Sequence, residues 1–393
     1  MNYRKLFKEH KVIRDLSLVQ FIAYFGAWFS NVAIYTMLVD FGSSSLAIAT
    51  VTAMHFLPAV LIAPFSGAII DRFKLKPLMI SLLFIELIMT LLFLTIDNKN
   101  EIWMLMIFIF IRMSAGSMFF STEMSLLAKL LKGKALQKAN EIHSIIWSFT
   151  YAAGMAISGL LVNFIGIQAA FIIDAMFFLV AIIAFIRIDF VVKASIVHDK
   201  ILFLIKDGFL YIKNNKIIMH LILLHASVGI TSFDTLVTLL AKNEYKYVLA
   251  VPLVLGITNA TRAVGLMIGP VLISKYVNKE NLHYLLAFQG LAIIFWGLTQ
   301  SNFYFSLIFV FITGLFTTIL WSFTYALLQE KCEEKYLGRV ISYNDMFFML
   351  SCIITTLFIG LMASLTSLAI ITILLGIGFM IFAFYYTRIL KWI

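Results

Sequence analysis

The sequence predicts an all-α membrane protein in which twelve transmembrane helices form two pseudo-symmetric six-helix bundles. Hydrophobic residues make up 62% of the 393-residue chain and charged residues only 13%, which is far more apolar than a soluble domain. The apolar residues fall into long unbroken runs, and the longest polar connection lies near the middle of the chain. Composition, run length and this central break together indicate two halves built from membrane-spanning helices.

Each apolar run is long enough for one span, because a bilayer core about 30 Å thick takes roughly 20 helical residues. The runs lack the short alternating strands of an outer-membrane barrel. The predicted spans lie near residues 16–39, 46–70, 77–95, 102–127, 139–163, 167–187, 217–240, 247–272, 282–299, 302–328, 340–362 and 366–387.

The basic residues predict the orientation of these spans. In the predicted connections on one side of the membrane the only basic residues are Lys99, Lys242 and Lys246, and Arg112 and Arg262 lie inside spans, so the rest of the 30 Lys and Arg lie on the side of the termini. By the positive-inside rule both termini face the cytoplasm. The net charge of +10 then reflects topology, and we expect no nucleic-acid partner.

The first fourteen residues, MNYRKLFKEHKVIR, are basic, but the apolar run after them is too long for a signal peptide and has no small-residue cleavage site. We expect this run to be retained as the first span. The predicted location is the cytoplasmic (inner) membrane of a bacterium.

Residues 188–216 join the halves and contain an amphipathic stretch, DKILFLIKDGFLYIKNN, that predicts an interfacial helix. We therefore predict an N-terminal bundle over 1–187, a cytoplasmic linker over 188–216 and a C-terminal bundle over 217–393. An offset of about 201 residues pairs Lys138 with Arg339 and His143 with Asn344, and an offset of 202 pairs Gly67 with Gly269. Weak matches that keep one offset are typical of transporters with repeated halves.

A charged stretch, GAIIDRFKLK, follows the second span. Its Gly67-x-x-x-Asp71-Arg72 pattern, with Lys74 and Lys76, resembles the loop between helices two and three of the major facilitator superfamily, although many members have Gly at Lys74 and a basic residue at Leu75. The segment from Arg112 to Gly116 resembles the intramembrane arginine motif of that superfamily. The segments FGAWFSNVAIYTMLVDFGSSSLAIATVTAMHFLPAVLIAPFSG, KALQKANEIHSIIW and LGRVIS resemble the branch that contains macrolide-efflux proteins and the enterobactin exporter.

The charged stretch predicts a conformational latch. Gly67 allows close helix approach, and Asp71 at a helix end can face the N-terminus of span eleven, near Gly338 to Ser342, where backbone N–H groups favour an anion. The alternative is that these charges only anchor the loop in the cytoplasm. The predicted latch residues are Gly67, Asp71, Arg72, Gly338 and Arg339.

Charges inside spans are costly unless they are paired or hydrated, so each is a functional candidate. The list contains Glu86, Arg112, Asp174, Asp234 and Arg262, with Glu123 and Asp345 nearer the cytoplasmic ends. The resemblance implies that spans one, four, seven and ten line a central cavity, which ranks Arg112 and Asp234 above Glu86 and Asp174. For proton coupling we expect Asp234 or Glu86 to titrate beside Arg112, and the alternative is a static buried pair.

A polar stripe on the first span and aromatic residues on the tenth predict a substrate cavity. The candidates are Gln20, Tyr24, Asn31, Tyr35, Gly116, Arg262, Trp321 and Tyr325. Such a cavity suits a large amphiphile or an aromatic siderophore, although the same aromatic residues can simply cover lipid-facing surface. His55, His143 and His225 have no metal-ligand spacing, and we interpret them as packing or cavity-lining groups.

These patterns favour a secondary-active, proton-coupled exporter of a drug-like or siderophore-like molecule that works by alternating access. An uptake permease or facilitator and a non-transporting membrane sensor are the alternatives. The sequence has no nucleophile–base motif and no GxxxxGK[ST] loop, which argues against an enzyme and against ATP-driven transport. We expect no cofactor and no metal, and the expected partners are the substrate, protons and membrane lipids, with the chain as a monomer.

Overall fold

The computed structural model describes residues 3–190 and 201–392 of the chain. Inside helices, the side chains of residues 63–64, 66–68, 71–72, 137 and 201–204 lie outside the described part. Within the described residues the regular structure is helical, and twelve stretches are long and apolar enough to cross a membrane. The predicted all-α class and the twelve spans are therefore confirmed.

Fifteen α-helices build these spans and their connections. They are α1 (Tyr3–Glu9), α2 (Lys11–Asp40), α3 (Ser45–Arg72), α4 (Leu75–Leu92), α5 (Ile102–Leu130), α6 (Gly133–Ile165), α7 (Ile167–Ile186), α8 (Ile201–Asn214), α9 (Lys216–Ala226), α10 (Asp234–Asn243), α11 (Val251–Ile273), α12 (Leu282–Thr299), α13 (Phe303–Lys331), α14 (Leu337–Met362) and α15 (Leu368–Ile389).

The chain divides into two compact units. Unit 1 comprises Met1–Phe41 and Phe65–His198, and unit 2 comprises Gly42–Pro64 and Asp199–Ile393. In unit 1, α2 packs along α6 and α7, and α4 packs along α5 and α7. In unit 2, α12 packs along α15 and α11 packs along α13. The division falls within α3, so the first part of that helix packs with unit 2.

The first part of α3 is held in unit 2 by polar and close apolar contacts. Thr235 on α10 donates a hydrogen bond to Thr52 at 3.1 Å, and Lys242 donates to the Ser43 carbonyl at 2.5 Å. Gly360 on α14 has no side chain, and a Cβ there would clash with Ala49. These contacts bring α3 against α10 and α14.

Helix α8 packs against the start of α14 within unit 2. Asp207 forms an ion pair with Arg339 at 2.5 Å, and the Tyr343 hydroxyl donates to the Ile205 carbonyl at 2.9 Å. Gly208 makes the approach feasible, because an added Cβ would lie 2.9 Å from Arg339 Cβ. The Tyr211 ring stacks on Tyr336 at 4.1 Å.

The seventh span is broken in its middle, where the sequence analysis predicted one continuous helix. Helix α9 ends at Ala226, a 3₁₀ turn covers Ser227–Thr231, and α10 begins at Asp234. Gly229 in this turn packs against α14, since a Cβ there would lie 2.9 Å from the Cys352 backbone nitrogen. A break at membrane depth leaves backbone groups that the protein itself must satisfy.

Glycines let α11 and α13 approach closely. A Cβ on Gly265 would lie 3.0 Å from Gly314 Cα and would clash with the Phe311 carbonyl oxygen. Small residues at helix contacts allow this approach in membrane proteins, where dispersion contacts and not water exclusion hold helices together.

We expect Gly265→Ala to lower the thermal unfolding midpoint of the detergent-purified protein, because the new methyl group strains the α11–α13 contact by about 1–3 kcal/mol. Gly338→Ala is the matched control, since a Cβ there has no atom within 4 Å. Tryptophan fluorescence during heating measures both variants. Equal midpoints for the two variants would contradict the predicted tight contact.

Candidate functional site

A buried ion pair joins α5 and α7 in unit 1. Arg112 Nη2 lies 2.7 Å from Asp174 Oδ2, with side-chain exposures of 7% and 0%. The Ser30 hydroxyl on α2 donates to the same oxygen, and the guanidinium lies 5.6 and 5.3 Å from the ring centroids of Phe93 and Phe178. Ion pair, hydroxyl and cation–π contacts together hold the arginine in a desolvated position.

Gly26 on α2 makes room for this arrangement. A Cβ at this position would lie 3.0 Å from Asp174 Oδ1 and 2.5 Å from Phe177 Cβ. Asp174 Oδ1 has no hydrogen-bond partner among the described residues. The carboxylate therefore binds its partners through one oxygen only.

Glu86 on α4 is the second acid at this place. It is half-buried, and its charge interacts with both Arg112 and Asp174. Gly116 on α5 faces it, since a Cβ there would lie 3.4 Å from Glu86 Oε2. Two carboxylic groups thus lie near one guanidinium, and Asp174 is the one that is ion-paired with it.

The ion pair gives Arg112 a partner that the sequence analysis did not prefer. That analysis expected Asp234 or Glu86 to titrate beside Arg112 and gave Asp174 as a further candidate, and which acid titrates stays a prediction. The structure pairs Arg112 with Asp174, because Gly26 and Ser30 on α2 supply the space and the second hydrogen bond for that carboxylate.

A second polar cluster in unit 1 joins α2, α5 and α6. Gln20 Nε2 contacts His143 Nδ1, and Glu123 Oε2 lies 3.8 Å from the same ring nitrogen. The Tyr24 hydroxyl donates to Glu123 Oε2 at 3.5 Å. Glu123 is 1% exposed, so four polar side chains meet in a buried position.

In unit 2, Arg262 on α11 supplies a hydrogen-bond donor to the backbone at the break in the seventh span. Its Nη2 donates to the Thr231 carbonyl at 2.8 Å, and its guanidinium lies 5.0 Å from the Phe233 ring centroid. Asp234 starts α10, where a carboxylate is favoured by the N-terminal end of the helix dipole. The charges of Asp234 and Arg262 interact, so the structure brings together two residues that the sequence analysis placed in different roles.

Aromatic rings surround a buried histidine in unit 2. Trp321 and Tyr325 stack at 5.0 Å, and both rings, with Phe348, lie about 5.5 Å from the His225 ring. His225 Nδ1 bonds the Thr324 hydroxyl at 2.8 Å, while its Nε2 has no hydrogen-bond partner within the described part of the chain. Two of the predicted cavity residues therefore border a polar atom that lacks a partner.

The two polar clusters occupy equivalent places in the repeat. At the offset of 201 residues, Tyr24 corresponds to His225 and Glu123 to Thr324. Each pair is hydrogen-bonded in its own unit. At the second of these two positions, unit 1 has the acid Glu123 and unit 2 has Thr324.

The other predicted cavity residues on α2 differ from one another. Asn31 is half-buried, and none of the described residues is a hydrogen-bond partner of its Oδ1, whereas Tyr35 is only 2% exposed. Gln20 and Tyr24 are occupied by His143 and Glu123. A role of these residues in binding substrate stays a prediction.

Of the predicted latch, the structure describes only the part formed by Gly338 and Arg339. Gly338 and Arg339 lie in the first turn of α14, and the Arg339 guanidinium bonds Asp207 on α8. Gly67, Asp71 and Arg72 belong to α3, but their side chains lie outside the described residues. The latch stays a prediction.

Sequence reasoning did not find the cluster around Glu123. Glu123 was noted only as an acid near a helix end, and His143 was interpreted as packing or cavity lining. The available signal was an acid inside an apolar span together with Gln20 and Tyr24 one helical turn apart. Among the described residues there is no group of three acids, histidines or cysteines that could hold a metal.

Comparisons with known proteins agree with this architecture. Residues 16–300 match the family model described as Major Facilitator Superfamily. Macrolide efflux protein A of Streptococcus pyogenes is 25% identical over 336 residues, which cover 82% of each chain. The protein of the same name from Enterococcus faecalis is 25% identical over 322 residues, 78% of this chain and 98% of the relative.

Solved structures share the fold. The nucleoside transporter NupG superposes with a TM-score of 0.76 and 13% identity, covering 97% of this chain and 99% of NupG. A bacterial homolog of the human lysosomal transporter Spinster, in an inward-facing and unoccupied conformation, superposes with a TM-score of 0.75 and 14% identity. The match covers 97% of this chain and 96% of that chain.

We expect Arg112→Met to destabilise the protein by about 3–5 kcal/mol, because it leaves the Asp174 carboxylate buried without its counter-charge. The double variant Arg112→Met/Asp174→Leu should be more stable than the single variant, since it removes both charges. Thermal unfolding in detergent measures this, with exposed Arg388→Met as the control. Purely additive effects in the double variant would contradict the coupling of the two residues.

We expect Arg262→Met to lower the unfolding midpoint more than Arg262→Lys does. Methionine leaves the Thr231 carbonyl without its donor, whereas lysine keeps a cationic donor on a side chain of similar length. The same unfolding assay compares the two variants. A lysine variant as unstable as the methionine variant would show that the hydrogen bond does not support the break between α9 and α10.

Proposed function

Because the chain belongs to the Major Facilitator Superfamily and is a multi-pass membrane transporter, we propose that it is a proton-coupled exporter of drug-like amphiphiles. In this proposal the two halves alternate access to a substrate site across the cytoplasmic membrane of a bacterium. Both termini face the cytoplasm, as the distribution of basic residues favours. The chain works as a monomer, and its driving force is the proton gradient.

The observation that carries proton coupling is the group of two acids and one arginine in unit 1. Asp174 already neutralises Arg112 through a direct ion pair. An ionised Glu86 beside this pair has no counter-charge of its own, and an unmatched charge at membrane depth is costly. Binding a proton to Glu86 removes the unmatched charge.

We assign the proton to Glu86 and not to Asp174. Asp174 is fully buried and bonded to Arg112 and Ser30, whereas Glu86 is half-buried. Arg112 and Asp174 then act as the fixed pair whose field changes when Glu86 gains or loses its charge. Substrate and proton would use opposite states of this group, which is what exchange requires.

Export of a drug-like molecule is supported by the relatives and by the aromatic clusters. Two relatives carry the name Macrolide efflux protein A. In unit 2 the stacked Trp321 and Tyr325 rings offer a flat apolar surface beside the His225 nitrogen that lacks a partner. Apolar area with few polar groups suits large amphiphiles better than sugars. We propose macrolides as the first substrate class to test.

The experiment is proton movement in liposomes that contain the purified protein and an internal pH-sensitive dye. Macrolides, lipophilic cations and catecholate siderophores are added one class at a time. We expect one class to produce substrate-dependent proton flux, and we expect Glu86→Gln to reduce this flux to the level of protein-free liposomes, because an amide cannot take up the proton.

Glu244→Gln is the matched control, since Glu244 is exposed after α10 and should retain full flux. Radiolabelled or fluorescent substrate uptake into the same liposomes separates transport from coupling. Substrate transport without any proton flux in the wild-type protein would refute proton exchange. Undiminished proton flux in Glu86→Gln would remove Glu86 from the mechanism and leave the exporter proposal standing.

A further inference from the structure

The cluster of Gln20, Tyr24, Glu123 and His143 has a property that the site around Arg112 lacks. Among the described residues, the one basic partner of Glu123 is His143, at 3.8 Å. Glu123 itself is 1% exposed and His143 is 8% exposed. A buried carboxylate whose basic neighbour is an imidazole stays neutral overall only if the two groups hold one proton between them.

The contacts of His143 define two arrangements of that proton. Gln20 Nε2 is a donor, so its contact with Nδ1 requires a ring nitrogen without a proton. In that arrangement His143 is neutral, and Glu123 carries the proton. When the proton moves to Nδ1, this nitrogen becomes a donor and faces Glu123 Oε2.

The second arrangement displaces Gln20. Two donors cannot face each other, so the amide must rotate and present Oε1 to the protonated ring nitrogen, or separate from it. A shift of about 1 Å brings Nδ1 from 3.8 Å to hydrogen-bond distance from Glu123 Oε2. Gln20 lies on α2 and Glu123 on α5, so the location of the proton changes the contacts that His143 on α6 makes with both helices.

We propose that Glu123 and His143 form a second proton-binding site in unit 1, in which one proton moves between Glu123 Oε2 and His143 Nδ1. The transfer breaks the O–H bond of Glu123 and forms the N–H bond of His143, which leaves a carboxylate and an imidazolium with no change in total charge. Gln20 is a positioning residue that holds His143 in the neutral arrangement.

The other described titratable or charged groups near the site lie on α2, α4 and α6. The titratable group that faces Glu123 from α2 is Tyr24, whose hydroxyl donates to the same Oε2 at 3.5 Å. On α4, Glu86 interacts electrostatically with Tyr24. On α6, the described charged residues nearest in sequence are Lys138 and Glu141, which bond each other at 2.5 Å. His143 is therefore the group that exchanges a proton with Glu123.

Tyr24 places this site next to the one around Glu86. Tyr24 interacts electrostatically with both Glu123 and Glu86, so it lies between the two sites. Along α5, Glu123 lies eleven residues beyond Arg112, roughly 16 Å at about 1.5 Å per residue. The site therefore lies towards the end of α5 that is predicted to face the cytoplasm. Its role in transport rests on the proposed proton coupling, but proton binding does not.

The test is pH-dependent infrared difference spectroscopy of the purified wild-type protein in lipid nanodiscs, without substrate. Protonated carboxylic acids have a carbonyl band that disappears when the group ionises. We expect Glu123→Gln to lose one such band completely. Glu141→Gln, on α6 and half-buried, is the matched control and should retain that band. Size-exclusion chromatography confirms folding of each variant.

His143→Gln is the second variant, and it keeps the test decisive if Glu123→Gln does not fold. We expect it to shift the frequency and the pH dependence of the Glu123 band, because the shared proton loses its acceptor. An unchanged carboxyl spectrum in Glu123→Gln would overturn the proposal, and so would a Glu123 band that is identical with and without His143.

The liposome assay separates this inference from the proposed function. If the wild-type protein shows the Glu123 band but no substrate-dependent proton flux, the proton site stands and proton-coupled export fails. If substrate drives proton flux while Glu123→Gln leaves the carboxyl bands unchanged, export stands and the second site fails.

Discussion

The absence of water inside a bilayer is the constraint on which this structure depends. A backbone carbonyl or a charged side chain at that depth must find its partner within the protein, because the lipid offers none. Arg112 meets this demand through Asp174, Ser30 and two aromatic rings. Arg262 meets it by bonding the carbonyl that the interrupted seventh span leaves over. Each arginine therefore compensates a specific group inside the protein. Arg112 compensates the Asp174 carboxylate, and Arg262 bonds the Thr231 carbonyl.

Close packing supplies the geometry for these contacts. Gly26 admits Asp174 against α2, and Gly116 faces Glu86 across the α4–α5 contact. In unit 2, Gly229 lets the break between α9 and α10 rest on α14, while Gly265 and Gly314 bring α11 against α13. A Cβ at Gly26, Gly229, Gly265 or Gly314 would lie closer than 3.0 Å to an atom of a neighbouring helix, so a larger residue there would force the helices apart. The small residues therefore leave the space that the buried charged side chains need.

The two halves of the repeat divide the chemistry between them. Tyr24 and Glu123 in unit 1 correspond to His225 and Thr324 in unit 2, and each pair is hydrogen-bonded. Unit 1 has the acid Glu123 at this position of the repeat. It also contains the Arg112–Asp174 ion pair, with Glu86 nearby. Unit 2 has an aromatic enclosure around His225 and a broken helix. In the proposed function, unit 1 therefore binds the proton and unit 2 offers the apolar surface for the substrate.

The sequence by itself determined the membrane class, the twelve spans and the family, because span length, composition and local motifs depend on neighbouring residues along the chain. It also identified Glu86, Arg112, Asp174, Asp234 and Arg262, since a charge in an apolar run is visible without a structure. Only the tertiary structure decided that Arg112 pairs with Asp174, that Arg262 supports a broken helix, and that Glu123 meets His143. Those outcomes depend on how each helix is rotated about its axis and how deeply it sits against its neighbours. Packing between distant segments sets both, and residue spacing within one span does not.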